Sequence, residues 1–139
     1  MTFLTDPYRI YVYDTDAAGV VHHSNYLRYF EAGRIEFLRS IGYPYIDFQN
    51  QGIGFVPIDI QIKYKKPLRE DDLYQVSAYP TLVKKASFQF KQTIIVNEEE
   101  IVSGTIMLAC VKEPEFKPQP ITQPFREALI KQIPASPIL

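Results

Sequence analysis

Tyr26-Leu27-Arg28-Tyr29-Phe30-Glu31-Ala32-Gly33-Arg34-Ile35-Glu36-Phe37-Leu38-Arg39-Ser40-Ile41 is the stretch that decides the fold. Tyr26, Phe30, Gly33, Phe37 and Ile41 recur at helical spacing, and Arg28, Glu31, Glu36 and Arg39 fill other faces. The pattern predicts a helix capped by Ser24 or Asn25 and running to about Ile41. Gly42 suits the residue that ends a helix in the left-handed region, and Pro44 limits continuation. A long helix with one apolar face must be covered by another layer. The small Ala32 and Gly33 let that layer come close.

The remaining chain supplies strands. Val56, Ile58, Ile60, Ile62 and Tyr64 alternate with Pro57, Asp59, Gln61 and Lys63, which is the period of a half-buried strand. A short aromatic and β-branched run at 8–13 predicts an earlier strand, and 73–82, 87–96 and 101–112 predict three later ones. Residues 70–72 and 97–99 read as turns, and the apolar run 106–111 predicts an interior strand covered on both faces. A short helix is expected over 125–133, followed by a loose end at 134–139. The expected architecture is α+β: one domain over 1–139, with a long central helix wrapped by a five-stranded antiparallel sheet. Its last four strands are expected as a meander.

Composition narrows the function. The 139 residues suit one domain, and 46% hydrophobic content suffices for a sizeable core. A formal net charge of −1 lacks the basic excess of a nucleic-acid binder. No apolar run reaches the ~20 residues of a membrane span. The N-terminal stretch carries Asp6 and Pro7 in place of an apolar leader core, so no signal peptide is expected. The single Cys110 forms no internal disulfide, and its apolar neighbours mark it as a buried small hydrophobe. The cytoplasm is the expected compartment. Neither a GxGxxG nor a Walker A pattern occurs, which removes dinucleotide-fold and P-loop readings.

The chemistry concentrates just before the helix, in Asp14-Thr15-Asp16-Ala17-Ala18-Gly19-Val20-Val21-His22-His23-Ser24-Asn25. Two carboxylates and two imidazoles lie beside a Gly turn, next to helix N–H groups that lack internal partners. A general base or nucleophile beside an oxyanion site is a plausible kit for acyl transfer. Asp16 reads either as that group or as a cap. Asp14, at a strand end, reads as a turn-forming Asp. Asn25 caps or supports the loop, Tyr26 is core or pocket lining, and Glu31 reads as a structural partner for a buried polar group. Adjacent His side chains rarely share one ion, and no further ligands are spaced to join them, so no metal is expected. Two basic groups remain: Lys84 and Lys85 near Ser87, and Lys63, Lys65, Lys66 and Arg69 along a strand end. Each is a phosphate contact or a solvated edge. Gly52-Ile53-Gly54-Phe55 walls an apolar pocket or simply enters a strand.

Asp14 to Val21, His23, Asn25-Tyr26-Leu27, Tyr29-Phe30-Glu31-Ala32 and Arg34 to Leu38 together carry a resemblance. With weaker support from Tyr64-Lys65-Lys66-Pro67-Leu68, Asp72-Leu73 and Lys85-Ala86-Ser87-Phe88, the chain resembles the hot-dog fold over residues 8–133. Within it, the chain is similar to the 4-hydroxybenzoyl-CoA thioesterase family of acyl-CoA thioesterases. His23 matches the bacterial Tol–Pal-associated group, where the aromatic-acyl branch often has Tyr. His22 departs from both, since an aromatic such as Tyr or Trp is usual there, and leaves the acyl group unassigned.

The resemblance implies hydrolysis of a CoA thioester to free acid and CoA. Asp16 then attacks the carbonyl to give a mixed anhydride, or activates a water. The His23 backbone N–H, with its neighbours at the helix start, would polarise the carbonyl, and its side chain would orient Asp16, the water or the thiolate. Val20, Val21, His22, Asn25 and Tyr26 would bind substrate. Lys84, Lys85 and Ser87 would meet the nucleotide end of CoA, two ammonium groups attracting phosphate without strict geometry. Glu31 is the reserve carboxylate, because another hot-dog branch uses a helix Glu. No cofactor is implied beyond CoA as part of the substrate. A homodimer or homotetramer is implied, with residues 54–58 and 84–87 of the partner subunit completing the site. Two rivals remain: hydrolysis of acyl carrier protein thioesters, and a non-enzymatic acyl-CoA sensor.

Overall fold

The computed structural model describes residues 2–135. Two short strands, β1 (Phe3–Leu4) and β2 (Tyr8–Arg9), open the chain. A 3-10 turn over Val12–Asp14 leads to the loop before α1 (Asn25–Ser40). Then come α2 (Tyr45–Asn50), β3 (Ile53–Tyr64), β4 (Leu73–Val83), β5 (Ser87–Val96), β6 (Glu99–Lys112), β7 (Lys117–Pro118) and α3 (Gln123–Lys131).

The sheet is antiparallel, with strand order β1-β4-β5-β6-β3; β2 also pairs with β4, and β7 with β6. This is the expected α+β hot-dog architecture, five strands in the main path and one long helix against them. The meander holds only from β4 to β6. β3 pairs with β6, in register from Ile53↔Lys112 to Tyr64↔Val102, and not with β4. The N–H groups of Lys65 and Lys66 both donate to the Ile101 carbonyl, at 2.8 and 3.1 Å, which keeps the end of β3 on β6. The link over 65–72 must then cross to the far side of β5 and β6 to start β4.

Three further local expectations are corrected. Only Tyr8–Arg9 of the 8–13 run forms a strand, because the chain turns at Val12–Asp14 and the exposed Tyr11, Val12 and Tyr13 have no sheet partner among the described residues. A further helix, α2, starts directly after Pro44, which ends α1's path yet holds the cap position of α2. The last helix begins two residues earlier than expected, with Thr122 at its cap and Pro124 in its first turn. The expected loose end falls partly on residues 136–139, which lie outside the described residues.

The helix and sheet meet where predicted. Gly42, at φ +91°, ends α1; its N–H reaches the Arg39 carbonyl and the Tyr43 N–H reaches Leu38. On the sheet side of α1, Gly33 stands against Val76 and Phe30 is fully buried. Fully buried Gln92 of β5 donates to the Phe30 carbonyl at 2.9 Å and accepts from Arg34 Nη1 at 3.1 Å. A polar pair is thus satisfied inside an apolar layer. Burial lowers the Arg34 guanidinium to about 10, against the opposing pull of Glu31. At the other end, Phe48, Phe55, Phe88 and Phe125 pack ring on ring, with centroids 4.8 Å apart for Phe48–Phe125 and 5.1 Å for Phe55–Phe88. This cluster joins α2, β3, β5 and α3. Cys110 is buried as expected, and burial pushes its thiol up to about 11.

Candidate active site

The Asp16 loop is a tight hairpin. Asp16 N–H donates to the Val20 carbonyl at 2.8 Å, and Gly19 N–H donates back to the Asp16 carbonyl at 3.0 Å. Gly19 takes φ +79°, the left-handed position that closes a three-residue hairpin loop. Asp16 adds a side-chain bond, its Oδ1 accepting Ala18 N–H at 2.8 Å. That bond leaves Oδ2 without a hydrogen-bond partner among the described residues and aims the carboxylate from a defined turn. Asp16 is exposed, so one chain alone does not enclose its carboxylate.

The second arm returns towards α1. Thr15 pairs with Val21, and His22 N–H donates to the Asp14 carbonyl at 3.2 Å. The same carbonyl accepts Asn25 Nδ2 at 3.0 Å, so Asn25 supports the loop and does not cap the helix. Ser24 sits at the cap position without a side-chain cap bond. Its hydroxyl lies 2.8 Å from His22 Nδ1, which also accepts Ser24 N–H at 3.2 Å. The His22 and His23 rings stack at 4.3 Å, both exposed. The start of α1 therefore carries no side-chain bond from its cap residue, and the Asn25 N–H of its first turn donates to the His22 carbonyl at 2.9 Å.

The crossover link forms the floor of this site. Val21 N–H donates to the Leu68 carbonyl at 2.8 Å, and Leu68 N–H donates to the Tyr26 hydroxyl at 3.0 Å. Val20 pairs with Arg69. Val21 and Tyr26 are buried in the core, so in the single chain their part is to pin the loop. Asp14 lies against a tyrosine cluster, with Tyr29 and Tyr74 rings 4.8 Å apart. Burial first, and the Asp14 carboxylate second, push the Tyr29 hydroxyl well above its ordinary value and Tyr74 up to about 12. Among the described residues no group meets full hydrogen-bond geometry at the buried Tyr29 hydroxyl, although the Asp14 carboxylate lies near enough to act on it.

Lys84, Lys85 and Ser87 are not gathered with these groups. They lie in the β4–β5 turn, beyond Val83, whereas the Asp16 loop sits by the Leu73 end of β4. The strand between spans about 35 Å at ~3.3 Å per residue. The two basic candidates also differ. Lys66 pairs with Glu99 at 2.8 Å and Lys65 approaches Glu100 at 3.9 Å, a solvated edge. Lys84 and Lys85 make no ion pair among the described residues. Near that end of the molecule a groove of about 220 Å³ opens between α1 and β3, lined by Glu31, Arg34, Tyr45, Phe55, Pro57 and Leu108. Phe55 is thus both strand entry and groove wall. Among the described residues no three His, Cys, Asp or Glu side chains converge on one point.

Leu68, Tyr29 and Arg126 carry no site signal in the sequence, and Arg69, expected with the lysines of the strand end, pairs with Val20 instead. An apolar residue after Pro67 and a lone Arg carry no periodic signal. Only the crossover brings residues 68 and 69 under the loop.

The family model described as Thioesterase-like superfamily matches residues 10–129. Acyl-CoA thioesterase YbgC of Haemophilus influenzae is 35% identical over 113 residues, 81% of this chain and 83% of that protein. The crystal structure of a hypothetical protein from Aquifex aeolicus superposes with a TM-score of 0.82 at 34% identity, covering 91% of this chain and 98% of that one. The DHNA-CoA thioesterase of Staphylococcus aureus superposes with a TM-score of 0.88 at 27% identity, covering 94% and 89%. With the match spanning the Asp16 loop, the long helix and strands β3 to β6, the chain belongs to the thioesterase-like superfamily.

Proposed function

We propose that this thioester hydrolase acts on an acyl-CoA, releasing the free acid and CoA. The observation that carries the reading is the Asp16 turn, which presents a carboxylate beside an uncapped helix start. In one course Asp16 attacks the carbonyl, the C–S bond breaks, CoA leaves as thiolate, and water hydrolyses the anhydride. In the other it takes a proton from water, and the hydroxide adds to the carbonyl before thiolate leaves. In both, charge growing on the carbonyl oxygen meets first-turn N–H groups near His23. Neither course requires a metal or cofactor; CoA is part of the substrate. The names of the Haemophilus and Staphylococcus proteins support a CoA thioester. His23 favours the 4-hydroxybenzoyl-CoA thioesterase family and its Tol–Pal-associated group. The cytoplasm is the compartment that fits such a substrate.

A second copy completes the site in this reading. β3 is one edge of the sheet and pairs only with β6 among the described residues, with Ile58 61% and Ile60 38% exposed. Antiparallel pairing of two β3 edges about a two-fold would lay the Ile53 end of one beside the Tyr64 end of the other. The groove and the 84–87 turn of the partner subunit would then approach this chain's Asp16. That arrangement reconciles the separation within one chain with a single extended substrate.

The test is thiol release from a panel of aliphatic and aromatic acyl-CoAs by the parent and by Asp16→Asn. Asn retains an Oδ1 acceptor for Ala18 N–H, so the turn should survive. The variant should lose about 10²–10⁴ in kcat, the scale of a general base. Equal rates would remove Asp16 from the chemistry. Tight acyl-CoA binding with no thiol release by the parent would favour a sensor. Turnover of acyl carrier protein thioesters alone would name the carrier protein as substrate donor.

A further inference from the structure

The β4–β5 turn is held in an unusual way. Arg126 of α3 donates Nη2 to the Val83 carbonyl at 3.2 Å and Nη1 to the Lys84 carbonyl. Ile121 N–H donates to the Lys85 carbonyl at 2.9 Å, and Cys110 N–H to the Ala86 carbonyl at 2.8 Å. Lys84 N–H closes the turn on the Ser87 carbonyl at 2.7 Å. Every carbonyl from 83 to 87 is therefore engaged within the protein. Carbonyl oxygens carry partial negative charge, and an anion nearing this turn meets none of them free.

The clamp comes from one planar guanidinium whose two Nη atoms each reach one of two successive carbonyls, whereas an ammonium would have to serve both from a single nitrogen. It also adds a third cation beside Lys84 and Lys85, none of which has an acidic partner among the described residues. α3 has anchors besides Arg126. Phe125, 1% exposed, and Leu129, fully buried, anchor it in the aromatic cluster.

The geometry points to Arg126 as a positioning residue that shapes the 84–87 turn for the phosphates of CoA. It rests on the reading that this turn meets the nucleotide. Arg126 acts through the turn backbone, and Lys84 and Lys85 make the phosphate contact.

The experiment compares an acyl-CoA with the same acyl group on N-acetylcysteamine, which lacks the nucleotide. The readout is the ratio of the two kcat/KM values, together with the Kd of free CoA. Arg126→Ala and Arg126→Lys should each lower that ratio about tenfold, the scale of one lost charge-assisted bond. The loss should fall on KM for the acyl-CoA rather than on kcat. Thermal unfolding of each variant reports that α3 stays docked. A parent-like ratio in Arg126→Lys would show that charge alone suffices and overturn the clamp. The double variant Lys84→Ala/Lys85→Ala separates the two levels. A fall there with none at Arg126 would refute the clamp and leave the nucleotide reading standing. No fall in the double variant would remove both.

Discussion

A Cβ placed on Gly33 would lie 2.5 Å from Cγ1 of Val76 and 3.0 Å from its Cβ. The long helix thus rests on β4 at a distance only glycine permits. Gly33→Ala should gain up to about 1 kcal/mol in helix propensity. It must also push α1 off the sheet or force Val76 aside, which costs about 1–3 kcal/mol in a packed layer. The net expectation is a less stable protein, read as a lower urea midpoint at unchanged slope. A variant at least as stable as the parent would mean that the helix lifts freely.

Tyr26 and Leu68 make the second prediction. Tyr26→Phe removes the acceptor of a buried N–H, which costs about 1–3 kcal/mol when left unpaired. Leu68 also holds Val21 through its carbonyl, so the floor under the Asp16 turn loosens. The melting temperature should drop, and kcat should fall severalfold without the collapse expected of Asp16→Asn. Unchanged kcat in a destabilised protein would show that the floor does not position the turn.

Much of this fold is legible in the sequence, for identifiable reasons. α1 (Asn25–Ser40) buries one stripe, which makes its period visible in the sequence, and Gly33 and Gly42 lie where close approach and termination require them. β5 was read at its observed ends because aromatic alternation on one face meets a turn at Asn97 and Glu98, both at positive φ. The pairing of β3 with β6 was not legible, since strands next in sequence are the default neighbours and nothing local marks a crossover. Arg126 was hidden for a similar reason: an Arg on a short helix looks like a solvated face until Val83 and Lys84 appear beneath it. The Asp16 turn could be placed from its Gly and its neighbours, whereas the floor from Leu68 depends on a contact 42 positions from Tyr26.

The open edge of β3 gives a third prediction. Exposed Ile58 and Ile60 lie near the centre of the strand, where a two-fold between paired edges would fall. A charge at such an edge blocks further pairing. Ile58→Lys with Ile60→Lys should leave a folded monomer by sedimentation, with far-ultraviolet dichroism retained and thioesterase activity lost. An active monomer would sink the composite site.

The tyrosines around Asp14 set a stability limit at high pH. Tyr74 is 8% exposed, and burial with the Asp14 carboxylate raises its hydroxyl to about 12 from an ordinary value of 10.0. Tyr29 is raised further by the same two causes. Below pH 10 both folded and unfolded chains hold these protons, so the groups leave stability unaffected by pH. Between 10 and 12 the unfolded chain loses the Tyr74 proton while the folded chain keeps it, and stability falls with pH. One such group changes unfolding free energy by at most about 1.4 kcal/mol per pH unit. Chemical denaturation at pH 9, 10 and 11 should show the decline beginning near 10. Tyr74→Phe should be less steep over the same range, because a phenyl ring has no proton to lose. Asp14→Asn should also flatten the fall, by removing the negative charge that helps hold the tyrosine protons on. Parallel profiles for Tyr74→Phe and the parent would show that other groups govern the alkaline limit.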